Sequence, residues 1–391
     1  MVYDVLTEMN IGKVTSMKIL MVGNYFYPEH TGGVEIVSYN LVTHYRNFGH
    51  TVRWLAADVP PRYRKIQKDD VPIRAWNYTE EKLGFPSPLP FPNSIFKLYM
   101  NIKWSDVIHL QDCLYPINVM VFFLSKILGK PILITQYAKF IPYKQLYKRA
   151  LQALAYHSIG SLMFSSADCV VFITSNVRDN MQYLNPKKMM DVVPLGVDTD
   201  FYSPLLESER SELREKLIGN SSTPIILFVG RMVERKGVNL ICPLIEKHKE
   251  WHWILVGRPD DFNPANWQAS NLTYFKNASE EELKELYASA DLLVHPSIGE
   301  GVTLVVSESL SSGTPVIISQ ESLYEVDEKH RSLFFAVQPN STDIEESIAH
   351  ALADRRKLEN LRRSCREYAR NRLSWKKMTE KYLVILGELL R

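Results

Sequence analysis

The chain has 391 residues, more than one hydrophobic core usually serves, so we expect two domains of about two hundred residues each. Apolar residues make up 46% of it and charged residues 23%, which excludes a disordered or low-complexity protein. The formal net charge is only +2, and no nucleic-acid partner is expected.

The N-terminus and the most apolar stretch both argue against secretion or membrane insertion. Residues 1–16 include Asp4, Glu8 and Lys13, which interrupt the apolar core that a secretory signal peptide needs. The stretch from Ile117 to Leu128 is about twelve residues long, against the ~20 that a membrane-spanning helix requires. The four cysteines form no Cys-x-x-Cys pair, which predicts reduced thiols and no zinc site. We expect a cytoplasmic protein.

The first organised segment begins near Met17 and has the pattern strand, loop, helix. Lys18 to Val22 is a short apolar run, a loop with proline and glycine follows to Gly33, and Val34 to Phe48 has apolar residues at helical spacing. Further short apolar runs alternate with helical stretches: Val52 to Ala56, Val107 to Leu110, Ile132 to Thr135 and Cys169 to Ile173. This alternation predicts a parallel sheet covered on both faces.

A second series follows the turn-rich segment from Pro194 to Pro204. Glu207 to Leu217 is a charged helical stretch, and strands are then predicted at Ile225 to Val229, Trp253 to Val256, Leu272 to Phe275, Leu292 to His295 and Pro315 to Ile318. The predicted fold is α/β, with two doubly wound, Rossmann-like domains at residues 1–200 and 201–374. Such sheets bind ligands beyond the carboxyl ends of their strands, so two of them facing each other would form a deep cleft.

Two cations follow the first strand of the second domain, in Gly230-Arg231-Met-Val-Glu-Arg-Lys236-Gly237. An arginine and a lysine five residues apart can place two positive charges on one anionic group, while the flanking glycines allow the backbone to approach closely. A structural salt bridge is the alternative interpretation.

A pair of acids follows the strand from Leu292 to His295. Glu300 lies in the loop Pro296-Ser-Ile-Gly-Glu-Gly301, and Glu308 lies eight residues later on a predicted helix. The two carboxylates can accept hydrogen bonds from hydroxyls at two places along a ligand. Free N–H groups from Val302 to Leu304, at the helix N-terminus, would face an anion between them. A polyol joined to a phosphate fits this arrangement.

The second domain resembles the retaining GT-B glycosyltransferases of family 4. They share a Gly-Arg-x4-Lys-Gly loop, an acid-x7-acid motif in the setting Pro-Ser-x-x-Glu-Gly, and a following Gly-x-Pro-Val. The resemblance implies that Arg231 and Lys236 bind the donor diphosphate, Glu300 the hydroxyls of the donor sugar, and Glu308 the ribose. It extends over most of the chain and implies that a last helix, residues 375–391, crosses back onto the N-terminal domain.

The resemblance implies further contacts in both domains. Gly32 and Gly33 would open the first helix against the phosphates, and the base would lie near two later strand ends. The implied donor-binding residues are Gly32, Gly33, Arg231, Lys236, Gly257, Arg258, Phe275, Lys276, Glu300, Gly301, Val302, Thr303, Leu304 and Glu308. The implied catalytic residues are Asp112, Tyr137, Arg231, Lys236 and Glu300.

The chain departs from the family pattern in two places. Relatives usually have Glu-Gly-Phe-Gly-Leu where this chain has Glu300-Gly-Val-Thr303-Leu. Backbone N–H contacts survive that change unless position 303 needs a positive φ. Family members also often carry histidine at strand ends of the N-terminal domain, where this chain has Gln111 and Tyr137. A histidine-assisted scheme therefore does not transfer.

The resemblance implies a retaining transferase that moves a hexose-type sugar from a UDP-, GDP- or ADP-sugar to a sugar or lipid-linked acceptor, a glycolipid or cell-surface polysaccharide precursor. No metal is expected, because Asp198-Thr-Asp200 imitates a metal clamp but lies in the interdomain turn, where we expect turn chemistry. A GT-B epimerase and a non-catalytic nucleotide-sugar binding protein are the alternatives. A dehydrogenase is disfavoured, because no Gly-x-Gly-x-x-Gly follows a strand.

Positive charge is concentrated between Phe91 and Arg149. This segment has an excess of six, from two acids (Asp106, Asp112) and eight basic residues (Lys97, Lys103, Lys126, Lys130, Lys139, Lys144, Lys148, Arg149). Apolar residues lie among the last of these at helical spacing: Leu146, Tyr147, Leu151 and Leu154. The pattern predicts binding to an anionic membrane that carries a lipid-linked acceptor. Alternatively, the apolar residues pack inward and the lysines only solvate the outer face.

Overall fold

A computed structural model describes residues 16–28, 30, 32–59, 69–78, 87–138, 140, 145–189, 192–298 and 300–391. The chain divides into two compact units, residues 1–194 with 378–391, and residues 195–377. The predicted boundaries were after residue 200 and before residue 375. They differ because Val197 forms a parallel bridge with Ser374, so that both ends of the second unit are held together.

The first unit contains a sheet of parallel strands with one antiparallel strand at its edge. The strands are β1 (Lys18–Tyr25), β2 (Thr51–Asp58), β3 (Asp70–Trp76), β4 (Leu89–Pro90), β5 (Val107–Gln111), β6 (Ile132–Gln136) and β7 (Cys169–Phe172). Their order is β4-β3-β2-β1-β5-β6-β7, and β4 is antiparallel to β3. The prediction missed β3, since it buries only Val71 and Ile73 between less buried neighbours.

Helices cover this sheet. They are α1 (Gly33–Asn47), α2 (Ile95–Trp104), α3 (Pro116–Ile127), α4 (Leu146–Ala155), α5 (Ser161–Ser166) and α6 (Ser175–Met181), with a π turn at Tyr156–Gly160 and 3₁₀ turns at Pro92–Ser94 and Gln182–Leu184. Inward residues of α2, α3 and α5, such as Leu98, Val121 and Met163, share one core with the strands. Within the described part of the chain, no helix has the length and apolar character to cross a membrane. Residues 1–15, which make up most of the segment used for the expectation about secretion, lie outside that part.

The second unit contains a sheet of parallel strands in the order β10-β9-β8-β11-β12-β13. The strands are β8 (Ile225–Val229), β9 (His252–Val256), β10 (Leu272–Phe275), β11 (Leu292–His295), β12 (Val316–Ser319) and β13 (Phe334–Val337). Alternate residues of β8 enter different cores: Leu227 lies in one and Phe228 in the other. The sheet is therefore covered on both faces, and the predicted pair of Rossmann-like domains is confirmed. The prediction missed β13, in which only the first and last residues, Phe334 and Val337, are buried.

The helices of the second unit are α7 (Glu207–Ile218), α8 (Val238–Lys247), α9 (Glu280–Ser289), α10 (Leu304–Ser311), α11 (Gln320–Leu323), α12 (Ser341–Leu352), α13 (Arg355–Tyr368) and α14 (Trp375–Leu389), with 3₁₀ turns at Glu234–Lys236, Pro264–Asn266 and Glu328–Leu333 and a π turn at Ala369–Leu373. The last part of α14 belongs to the first unit. There the hydroxyl of Thr135, on β6, donates to Oη of Tyr382 at 3.0 Å.

Candidate active site

The loop after β8 carries three cations to the edge where the parallel strands end. Residues Glu234–Lys236 form a 3₁₀ turn, and Gly237 follows with a φ of 82°. A Cβ at Gly237 would lie 2.6 Å from Cγ of Pro296, so both the backbone conformation and the close approach require glycine. This approach brings Lys236 against the loop that holds Glu300.

Four side chains surround the carboxylate of Glu300. Nζ of Lys236 donates to Oε2 at 2.6 Å, and Nη1 of Arg235 donates to Oε1 at 2.8 Å. Oγ of Ser297 also donates to Oε2, at 2.8 Å, and Nε2 of His295 lies 3.6 Å from the same oxygen. Each carboxylate oxygen therefore has a positively charged partner.

These partners determine the ionisation of Glu300. Desolvation acts to raise its pKa, but the nearby imidazole of His295 and the charges of Lys236 and Arg235 hold the pKa of Glu300 well below its ordinary value. Desolvation also lowers the pKa of His295, so this imidazole is neutral at neutral pH. The pKa of Lys236 is lowered by burial, while Glu300 acts to raise it. Glu300 is thus an anion at neutral pH and far into the acid range.

Arg231 lies outside this ion cluster. Its Nη1 is 3.7 Å from Oδ2 of Asp260, and its side chain is 53% exposed. Arg231 and Lys236 were predicted to share one anion. In the structure Lys236 forms a salt bridge with Glu300, and the charge of Arg231 contributes to lowering the pKa of Lys236.

The residues after Glu300 lead into α10. Thr303 is the N-cap, with a φ of −88° and a ψ of 169°, and its side chain makes no capping hydrogen bond. Position 303 is therefore extended, and threonine fits there without strain. Gly301 and Val302 are buried before it, and Leu304 begins the helix. A helix end of this kind carries partial positive charge.

Glu308 lies one turn into α10, in different surroundings. Its Oε2 accepts a hydrogen bond from Oη of Tyr287, on α9, at 2.8 Å. Desolvation raises the pKa of Glu308 to about 7; the bond from Tyr287 opposes the shift and the charge of Glu280 adds to it. This carboxyl group therefore titrates near neutral pH.

The ends of β9 and β10 border the loop after β8. The N–H of Gly257 donates to the carbonyl of Phe275 at 2.9 Å. A Cβ at Gly257 would collide with the carbonyl oxygen of Gly230, so this close approach also needs glycine. Arg258 and Lys276, beside these strand ends, are exposed to solvent. The four residues predicted for the base thus lie on neighbouring strand ends.

In the first unit, Asp112 and Tyr137 follow the adjacent strands β5 and β6. Asp112 has a φ of 71°, a left-handed conformation that aspartate tolerates better than most residues. The N–H of Asp112 donates to the carbonyl of Thr135 at 2.7 Å, and the carbonyl of Asp112 accepts from Nδ2 of Asn118 at 2.7 Å. Burial raises the pKa of Asp112 to about 6.

Neither Tyr137 nor the nearby His109 is suited to act as a base. Oη of Tyr137 donates to Oε1 of Gln111 at 2.5 Å, and burial raises the pKa of Tyr137 well above its ordinary value. His109 is buried between the hydroxyls of Tyr45 and Thr135, and burial lowers its pKa to about 3. His109 is a core residue.

The glycines before α1 differ in their surroundings. Gly32 is the N-cap and Gly33 the first helical residue. A Cβ at Gly32 would collide with the carboxylate of Glu35, whereas one at Gly33 would meet nothing within 4 Å. Since the Glu35 side chain can move aside, neither position requires glycine for steric reasons.

Asp198 has the turn chemistry expected from the sequence. Its Oδ1 accepts hydrogen bonds from the N–H groups of Asp200, at 3.0 Å, and Phe201, at 2.9 Å. Among the residues that the structure describes, no group of three or more histidine, cysteine or acidic side chains has an arrangement suited to a metal ion.

The apolar residues of α4 do not pack inward, so that alternative is wrong. No residue of Leu146–Ala155 is buried. The exposed fractions are 76% for Leu146, 59% for Tyr147, 53% for Leu151 and 67% for Leu154. Three of the basic residues have partners within the first unit: Lys97 donates to the Pro72 carbonyl, Lys126 pairs with Asp168, and Lys130 donates to the Ser105 carbonyl. Lys139 and Lys144 lie outside the described residues.

Four partners of the two carboxylates were not predicted from the sequence: Arg235, His295, Ser297 and Tyr287. Arg235, His295 and Ser297 lie within or beside the two motifs, and this position in the sequence indicates that they are near the carboxylates. Tyr287 lies on another helix, 21 residues from Glu308 along the chain, and nothing in its local pattern indicates the contact.

Two doubly wound units, with cations and two carboxylates at the strand ends of the second, are typical of GT-B enzymes that use nucleotide sugars. The model of Glycosyltransferase Family 4 matches residues 31–201, and that of Glycosyl transferases group 1 matches residues 209–372. The chain belongs to this family of glycosyltransferases.

Individual proteins show the same likeness. An N,N'-diacetylbacillosaminyl-diphospho-undecaprenol α-1,3-N-acetylgalactosaminyltransferase of Campylobacter jejuni is 26% identical over 58% of this chain, which spans only 62% of that relative. Sucrose-phosphate synthase from Thermosynechococcus elongatus has a similar structure, with a TM-score of 0.73 and 19% identity over 95% of this chain and 99% of that one. The structure of Anabaena HepE in complex with UDP and glucose is also similar, with a TM-score of 0.68 and 17% identity; the match covers 95% of this chain and 100% of HepE.

Proposed function

We propose that this protein is a retaining, metal-independent glycosyltransferase that moves a hexose-type sugar from a nucleoside diphosphate sugar to a glycolipid or cell-surface polysaccharide precursor. One observation carries the proposal. Lys236 contacts Glu300 just before α10, and Glu308 lies one turn into that helix. Lys236 and the helix end supply positive charge for a diphosphate, while the two acids supply acceptors for sugar and ribose hydroxyls. The UDP complex of HepE supports such a donor.

The contacts of Glu300 favour an orienting role over a nucleophilic one. Both of its oxygens bind cations, Lys236 and Arg235, so neither is free to attack the anomeric carbon. Retention then follows a same-face route. The bond from the anomeric carbon to the diphosphate breaks, the acceptor oxygen bonds to that carbon on the same face, and the acceptor proton goes to a phosphate oxygen of the leaving group. The enzyme lowers the barrier by preorganised positive charge beside that leaving group.

Donor binding and product analysis test this function. In a thermal-shift panel of UDP-, GDP- and ADP-sugars, a ligand at a hundred times its Kd should stabilise the protein by ~2.7 kcal/mol. The product formed with the stabilising donor should retain the donor's anomeric configuration, and EDTA should leave the rate unchanged. An inverted product, or activity lost in EDTA and restored by Mg²⁺ or Mn²⁺, would contradict the mechanism. Free epimer without transfer would favour the epimerase alternative.

The exposure of α4 supports a lipid-linked acceptor at the cytoplasmic face of an anionic membrane. Leu146, Leu151 and Leu154 are more than half exposed, and Arg149 lies on the same helix, also exposed. Each basic residue near an anionic leaflet contributes about 1 kcal/mol, and inserted leucines add apolar burial. Together they give reversible binding that salt weakens. The undecaprenol in the name of the Campylobacter relative is consistent with such an acceptor.

Liposome co-sedimentation tests the membrane contact. We expect binding to phosphatidylcholine vesicles that contain phosphatidylglycerol, and loss of binding at high salt. Replacing Leu151 and Leu154 together by serine should weaken this binding by about tenfold or more. Leu206→Ser is the matched control, because Leu206 is 69% exposed but lies in the other unit. Equal binding to neutral vesicles, or none at low salt, would leave a soluble acceptor as the substrate.

A further inference from the structure

The hydroxyl of Tyr287 is the polar partner that the structure gives to the carboxylate of Glu308. Oη of Tyr287 donates to Oε2 at 2.8 Å, and the tyrosine is fully buried while Glu308 stays partly accessible. A buried hydroxyl bonded to a partly accessible carboxylate fixes one oxygen and leaves the rest of the group available to a ligand.

We propose that Tyr287 is a positioning residue: it holds the carboxylate of Glu308 in the orientation and charge state that bind the ribose of the nucleotide, and so determines how nucleotide affinity depends on pH. This inference rests on the proposed role of Glu308 in donor binding. Because Tyr287 is fully buried, we expect it to act through Glu308 and not by contact with the nucleotide.

The surroundings of Tyr287 hold its hydroxyl in place. Its ring packs edge-on against Tyr202, with ring centroids 5.8 Å apart, and Oγ1 of Thr314 donates to its carbonyl at 2.6 Å. Because both neighbours restrain the residue, its hydroxyl keeps one direction. Oε1 of Glu308 and the remaining lone pair of Oε2 are then set to accept from two adjacent ribose hydroxyls.

The hydrogen bond from Tyr287 affects the pKa of Glu308 because the other surroundings of this carboxyl group disfavour its ionised form. Desolvation brings the pKa of Glu308 to about 7, and the nearby acid, Glu280 on α9, raises it further. Arg366, on the neighbouring α13, points its guanidinium at the carbonyls of Thr199, Tyr202 and Ser311. Among the effects on its pKa, the hydrogen bond from Tyr287 is therefore the one that favours the ionised carboxylate.

Nucleotide binding across pH tests the inference. We would measure Kd values of UDP, GDP and ADP by calorimetry at pH 6, 7, 8 and 9. For the nucleotide that binds, the wild-type Kd should rise about tenfold between pH 8 and pH 6, as Glu308 takes up a proton. Tyr287→Phe should raise Kd about fivefold at pH 7 but hardly at pH 9, because losing the bond moves the titration to higher pH. The 2′-deoxy nucleotide should show a weaker pH dependence.

Matched variants separate positioning from packing. Tyr368→Phe removes the hydroxyl of a partly buried tyrosine in the same unit, and should leave both Kd and its pH dependence unchanged. In a Glu308→Gln background, Tyr287→Phe should no longer change the pH profile. A Tyr287→Phe loss that is equal at every pH would overturn the inference and leave a packing role. If the wild-type protein binds none of the three nucleotides, the proposed function fails instead.

Discussion

Glu300 and Glu308 lie eight residues apart in one stretch of chain, yet their carboxyl groups have opposite electrostatic surroundings. Glu300 is held by Lys236 and Arg235, which keep its pKa well below the ordinary value. Glu308 has one neutral partner, Tyr287, and desolvation raises its pKa to about 7. Two acids of one motif are thus a permanent anion and a group that titrates at physiological pH. Neighbours from other strands and helices make this difference.

The largest expected effect is at Lys236, the partly buried cation that contacts Glu300. Lys236→Ala should lower kcat by about 10²-fold or more with the fold intact, the usual cost of deleting one preorganised stabilising group. Arg235→Ala is the comparison variant, because it removes the other cation on Glu300 and leaves Lys236 in place. It should cost about tenfold or less, since Arg235 is 47% exposed and better screened. Equal losses, or wild-type kcat in Lys236→Ala, would remove Lys236 from the leaving-group role.

A smaller effect should separate the two acids by pH. In the wild-type enzyme the donor KM should rise about tenfold from pH 8 to pH 6, because protonation of Glu308 removes its charge as pH falls through about 7. Glu308→Gln should raise KM at pH 8 and make its profile flat. Glu300→Gln should lower kcat yet keep the slope of the KM profile, since Glu300 does not titrate in this range. A wild-type KM that is constant from pH 6 to pH 8 would contradict the assignment of Glu308 to the ribose.

The two acids also mark what the sequence could predict and what it could not. The alternation of short apolar runs and helical stretches predicts both sheets, because the buried strands of a parallel sheet are local, continuous signals. The turn-rich segment predicts a boundary near residue 200, close to the division after Pro194, but the pairing of Val197 with Ser374, 177 positions away in the chain, has no local signal. The same holds for ionisation. The motif predicts that Glu308 is a ligand-binding acid, but its pKa depends on burial and on Tyr287, which lies on another helix.

The smallest expected effect is at Tyr137, in the first unit. Its hydroxyl donates to Gln111, and burial raises its pKa well above the ordinary value, so it stays protonated at any pH the enzyme meets. It can orient an acceptor but cannot take its proton. Tyr137→Phe should therefore cost about threefold in kcat/KM, the worth of a neutral hydrogen bond, while Glu300→Gln costs far more. The pair should be compared at saturating donor with the acceptor varied, so that the tyrosine's effect falls on acceptor KM. A Tyr137→Phe loss as large as that of Glu300→Gln, carried in kcat, would require a catalytic role for the phenol.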